Sequence, residues 1–89
     1  MNKWKIVYTQ DALKDRNKAF EAGYKDKINR LISILENNPY ETYPPFEKLG
    51  GDMTGAYSRK INHQHRLVYS IHDDVHTIKI ITLDYPASS

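Results

Sequence analysis

At 89 residues, with 39% hydrophobic and 27% charged residues, the chain fits one ordinary globular domain with a small core and not a disordered segment. Its net charge of +2 is too small to argue for nucleic-acid binding by itself, although a pI of about 8.8 leaves room for a basic face. Without cysteine there is no disulfide framework, cysteine-bound zinc or thiol nucleophile; without a signal-like start or a membrane-length apolar run, a soluble cytoplasmic protein is expected.

Trp4, Ile6 and Tyr8 alternate with Lys3, Lys5 and Val7, which predicts a first strand. Thr9 or Asp11 can cap a helix over about 11–22, with Leu13 and Phe20 on its buried side and Gly23 just past its end. A second helix is predicted over about 24–37, because Ile28, Leu31, Ile32 and Leu35 fall at the spacing of a core-facing stripe. Lys25, Lys27 and Arg30 lie off that stripe, and Asn37-Asn38-Pro39 stops the helix. Residues 39–54, with Pro39, Pro44, Pro45, Gly50 and Gly51, read as one long loop with Glu47 in its middle; loops of this length often carry function.

Two strands follow, 56–61 and 66–71, joined by the polar turn Asn62-His63-Gln64-His65. Alternation puts Tyr57, Arg59 and Ile61 on one face of the first, and separates Arg66, Val68 and Ser70 from Leu67, Tyr69 and Ile71 on the second. Asp73-Asp74 turns the chain into a last strand over about 76–83, and residues 84–89 form a tail. The predicted order is β-α-α-β-β-β: an α+β fold over a single domain, 1–89, with an antiparallel-dominated sheet and both helices on one face.

Metal-independent RNA cleavage needs a base for the 2′-hydroxyl, cations for the phosphorane and an acid for the leaving 5′-oxygen. The chain offers Glu47 as base, Arg59 and Arg66 as phosphate clamps, and His63, His65, Asp84 or Tyr85 as further candidates. Arg59, Lys60, Lys48, His63 and His65, with Tyr57 to stack on bases, form the candidate RNA-binding set. The histidines His63, His65, His72 and His76 lack a carboxylate at a characteristic zinc spacing, and there is no glycine-rich phosphate loop. No metal and no cofactor is therefore expected.

The segments Phe46-Glu47-Lys48-Leu49, Met53-Thr54-Gly55, Tyr57-Ser58-Arg59-Lys60-Ile61 and His65-Arg66-Leu67-Val68-Tyr69 resemble, without a gap, the motifs of the YoeB/Txe family of bacterial toxins. Lys27-Ile28-Asn29-Arg30-Leu31-Ile32 is similar to that family's second helix. The resemblance implies a RelE-like fold and a ribosome-dependent endoribonuclease that cleaves mRNA in the A site and inhibits translation. It also implies a tight complex with a YefM/Axe-like antitoxin, which can bind operator DNA, and it leaves open a homodimer of the free toxin. By the same resemblance Glu47 is the general base, Arg66 stabilises the phosphate and Tyr85 helps to shape the site. Lys60 replaces an arginine, keeping charge but not a planar fork. Asp84 stands where the family has a histidine acid, and an ordinary aspartate, ionised at neutral pH, is a poor proton donor. Two expectations follow: an active endoribonuclease, or a weakened member that serves chiefly as an antitoxin-binding co-repressor.

Overall fold

Strand β1 (Lys5–Tyr8) runs into helix α1 (Gln10–Glu21) through Thr9. The extended backbone of Thr9 starts the helix, and its hydroxyl oxygen accepts from the Ala12 amide at 3.0 Å. The same hydroxyl donates to the Ile81 carbonyl at 2.7 Å, which ties the helix start to the last strand. The computed structural model describes residues 3–86. Gly23 follows α1 at φ 94°, a left-handed turn that a side chain would disfavour. Helix α2 (Lys25–Asn37) then buries Ile28, Leu31 and Leu35 and half-buries Ile32, as its spacing predicts. Each such side chain contributes roughly 1.5–3 kcal/mol on full burial.

Helix α1 departs from the predicted stripe. Leu13 is 38% exposed and Ala12 faces the core instead. The inward side of α1 carries polar residues, of which Asp15 is hydrogen-bonded by the last strand while the buried Arg16 Nε has no hydrogen-bond partner among the described residues. Asp15 accepts from the Thr82 hydroxyl at 2.8 Å and from the Leu83 amide at 3.1 Å. Arg16 lies over two rings, 4.9 Å from the centre of Tyr8 and 5.6 Å from that of Phe20.

The remaining strands are β2 (Phe46–Lys48), β3 (Ala56–Lys60), β4 (His65–His72) and β5 (Thr77–Pro86), in the sheet order β1-β5-β4-β3-β2. β1 pairs with β5 in parallel, and every other pair is antiparallel. Strand β2 lies inside the segment expected to be one long loop, so the described residues form five strands where the sequence suggests four. Three residues with a single apolar side chain are too few to show a period. Single 3₁₀ turns at Gly51–Met53 and Asp73–Val75 complete the connections.

Both helices lie on one face, where Ala12, Ile28, Leu31 and Leu35 meet Ile61, Leu67, Tyr69, Ile78, Ile80 and Leu83 in one buried cluster. The β4–β5 ladder slips twice. Arg66 pairs with Tyr85, Val68 with Thr82 and Tyr69 with Ile80, so two steps along β4 match three along β5, and then one step matches two. Each extra residue in β5 is a bulge that re-aims the side chains beyond it. Asp15 takes up the Leu83 amide at this irregularity. Among the described residues, no helix is long and apolar enough to cross a membrane.

Candidate active site on the helix-free sheet face

Register builds the site. Glu47 stands opposite Ser58, Lys60 opposite Arg66, and Arg66 opposite Tyr85. Residues paired across antiparallel strands share a face, and here it is the face away from the helices. Glu47, Ser58, Arg66 and Tyr85, from four adjacent strands, line a cleft of about 240 Å³ together with Leu49 and Pro86.

One Arg66 Nη donates to Glu47 Oε1 at 3.1 Å, and the other donates to Ser58 Oγ at 3.3 Å. The two partners differ in freedom: the Arg66 side chain is 13% exposed and that of Glu47 60%. The guanidinium is therefore anchored, while the carboxylate sits on a short edge strand in contact with water. Ion pairs with an exposed partner are worth only about 0–1 kcal/mol. An arriving phosphate can displace Glu47 from Arg66 at little cost and meet a fork shaped for two of its oxygens. The displaced carboxylate is then beside the phosphate and free to accept a proton.

Arg59 is corrected from the RNA-binding set. Its side chain is fully buried, and its guanidinium donates to the Tyr69 hydroxyl (3.0 Å) and to the carbonyls of Pro39 (3.2 Å), Glu41 (2.6 Å) and Pro44. It also lies 5.0 Å from the ring centre of Phe46 and 6.0 Å from that of Tyr69. Burial pushes the pKa of the Tyr69 phenol up, and the Arg59 charge opposes that rise. Tyr57 packs edge-on against Phe46 and stacks with Tyr69, so its ring is engaged within the protein and is not a free platform for bases.

Asp84 stands apart from the cleft. The bulge turns Leu83 and Asp84 toward α1, where both line a groove with Asp15, Lys18 and Ala19, while Tyr85 returns to the Arg66 side. Asp84 Oδ1 lies 2.8 Å from His65 Nδ1, close enough for an ion pair but without hydrogen-bond alignment. His65 is thereby drawn to the same side, away from Glu47 and Arg66. The turn before it is closed by Asn62, whose side-chain oxygen accepts from the Gln64 amide (2.7 Å) and the His65 amide (2.8 Å). Lys48, Lys60 and His63 are exposed, and none of them lines the cleft; Lys60 and His63 line a separate hollow with Tyr24 and Lys27. Ser58, which the sequence reading left without a role, is fully buried beneath Arg66 and steadies it. The signal for it was the alternation that already set Ser58 on the face opposite Arg59. Among the described residues, no three His, Asp or Glu side chains cluster as a metal-binding group.

A family model for the YoeB-like toxin of bacterial type II toxin-antitoxin systems matches residues 8–85. The chain is 44% identical over 48 residues to Toxin YoeB of Streptomyces coelicolor, a stretch that spans 54% of this chain and 57% of that relative. It thus spans little more than half the length of the curated relatives that it matches. Among solved structures, it superposes on the YoeB-YefM complex from Staphylococcus aureus with a TM-score of 0.79 at 34% identity, covering 96% of this chain and 99% of that one. The YoeB dimer from the same organism gives 0.79 at 36% identity, with the same coverage. With the fold, the Glu47–Arg66 register and a family match over nearly its whole length, this chain belongs to the YoeB-like toxins of bacterial type II toxin-antitoxin systems.

Proposed function

We propose that the protein is a ribosome-dependent mRNA endoribonuclease that inhibits translation in the cytoplasm, and that an antitoxin of the YefM kind holds it in check. The observation that carries this reading is the anchored Arg66 paired with the water-exposed Glu47 on the helix-free face. Glu47 accepts the proton of the 2′-hydroxyl, and the freed oxygen attacks the adjacent phosphorus. Arg66 meets the charge that grows on the phosphoryl oxygens. The P–O5′ bond breaks, leaving a 2′,3′-cyclic phosphate and a 5′-hydroxyl. Tyr85 lines the cleft and stands opposite Arg66, and its phenolic O–H is a donor that can meet the leaving oxygen. The antitoxin assignment is supported by the likeness to a YoeB solved with YefM, and a homodimer of the free toxin by the likeness to a YoeB dimer.

One observation favours a second reading, that of a weakened toxin whose main work is to bind antitoxin and, with it, operator DNA. Asp84 faces His65, and no imidazole lines the cleft among the described residues. Primer-extension mapping of mRNA on programmed ribosomes decides between them. Cleavage inside the A-site codon, lost in Glu47→Ala and Arg66→Ala, is the result expected. Intact mRNA at high protein excess, alongside tight antitoxin binding, establishes the second reading instead.

A further inference from the structure

We propose that Arg59 is the positioning residue for Glu47: it shapes residues 39–46 so that the base arrives beside Arg66. The inference rests on the reading of Glu47 as the base. A guanidinium removed from water is costly unless its donors are met. The recorded partners of Arg59 are three backbone carbonyls and a phenol, with no carboxylate among them. All three carbonyls, of Pro39, Glu41 and Pro44, belong to the segment that leads into β2, and the phenol of Tyr69 fixes the guanidinium to the centre of the sheet.

Phe46 completes the arrangement. It pairs with Arg59 in the ladder, its ring lies 5.0 Å from the guanidinium carbon, and Glu47 is the next residue. Strand β2 is an edge strand of three residues, and 40–45 contributes no helix or strand of its own. So short an edge cannot fix its own approach to the sheet. At its far end the segment is tied by Tyr40, whose hydroxyl donates to Asp73. Between that tie and β2, the Arg59 fork is what gathers the chain. A planar group with five donors can reach three carbonyls in different directions while lying against an aromatic ring; an ammonium cannot.

The test is a double-mutant cycle in single-turnover cleavage of mRNA on programmed ribosomes, at saturating toxin, with amide hydrogen exchange on each folded variant. Arg59→Met is expected to slow cleavage by about 30-fold or more, within the range for losing a positioned base, while ribosome affinity changes by less than about threefold. Exchange is expected to quicken in 39–49 and to stay slow in β4 and β5. If Arg59 acts through Glu47, the double variant with Glu47→Ala cleaves within about twofold of Glu47→Ala alone. A full additional loss in the double variant overturns the proposal, as does exchange that spreads into β4 and β5. Wild-type cleavage by Glu47→Ala removes the base reading and the proposal with it; a slowed but measurable Glu47→Ala with additive Arg59→Met removes the proposal alone. Should Arg59→Met fail to fold, Tyr69→Phe takes away one acceptor and is read by the same cycle, non-additivity supporting the proposal and additivity overturning it. Arg59→Lys is expected to remain slow, and a wild-type rate there contradicts the role of the fork.

Discussion

Arg59 and Arg66 stand on adjacent strands of one hairpin, and their side chains leave opposite faces of the sheet. Toward the helices, Arg59 has its donors engaged by Tyr69 and three backbone carbonyls. On the other face Arg66 is anchored through Ser58, and its remaining contact is to a carboxylate that water can reach. The same residue type therefore does two different jobs. The first arginine is committed to the protein's own backbone, and the second keeps a partner that water can reach. What separates them is neither charge nor motif, but where the N–H groups point.

The largest difference should appear in stability. Arg59→Ala strands several buried acceptors, each worth about 1–3 kcal/mol when unmet, and urea unfolding should show a loss of about 3 kcal/mol or more. Arg66→Ala should lose less than about 1 kcal/mol, since its ion pair has an exposed partner. Equal losses would break the comparison.

Activity should invert the order. Arg66→Ala is expected to reduce A-site cleavage by roughly 10²–10³-fold, the usual effect of removing one group that stabilises transition-state charge. Tyr85→Phe should cost about 10–100-fold if its phenol meets the leaving oxygen. Asp84→Asn should leave the rate within about twofold, because the bulge points that side chain at His65 and away from the cleft. A large loss in Asp84→Asn would return the carboxyl to the chemistry.

The smallest effect concerns the loop's other tie. Tyr40 donates to both carboxylate oxygens of Asp73, at 2.8 and 2.9 Å, and this bond to a charged acceptor, first among the causes, pushes its pKa up to about 12. A phenol that holds its proton more tightly when folded stabilises the fold fully below its ordinary pKa of about 10 and loses that contribution as pH rises through about 12. The wild type should therefore lose slightly more stability than Tyr40→Phe between pH 10 and pH 12, as followed by thermal unfolding at each pH. The side chain is 43% exposed, so solvent keeps the difference small.

Part of this contrast was legible in the sequence. Alternation in β3 and β4 set Arg59 with Tyr57 and Ile61, and Arg66 with Val68 and Ser70, but only the pairing of the two strands puts the arginines on different faces. Alternation did not say which face the helices cover, so both looked like clamps. Helix α2 was plain because its inner stripe is aliphatic; α1 was not, because Asp15 and Arg16 face inward, Asp15 to partners distant in sequence and Arg16 to the nearby rings of Tyr8 and Phe20. Strand β2 exists through pairing with β3 and not through a pattern of its own. Asp84 took the acid's position through the family resemblance, and the bulges that set it apart from the cleft could not be read from that alignment.

The most direct test of the account is an NMR titration with a short 2′-deoxy oligonucleotide, which cannot be cut by 2′-hydroxyl attack, followed through the arginine Nε–H signals. The Arg66 signal is expected to shift in a saturable way while the Arg59 signal stays in place and exchanges slowly with water. A shift at Arg59, or none at Arg66, would contradict the account.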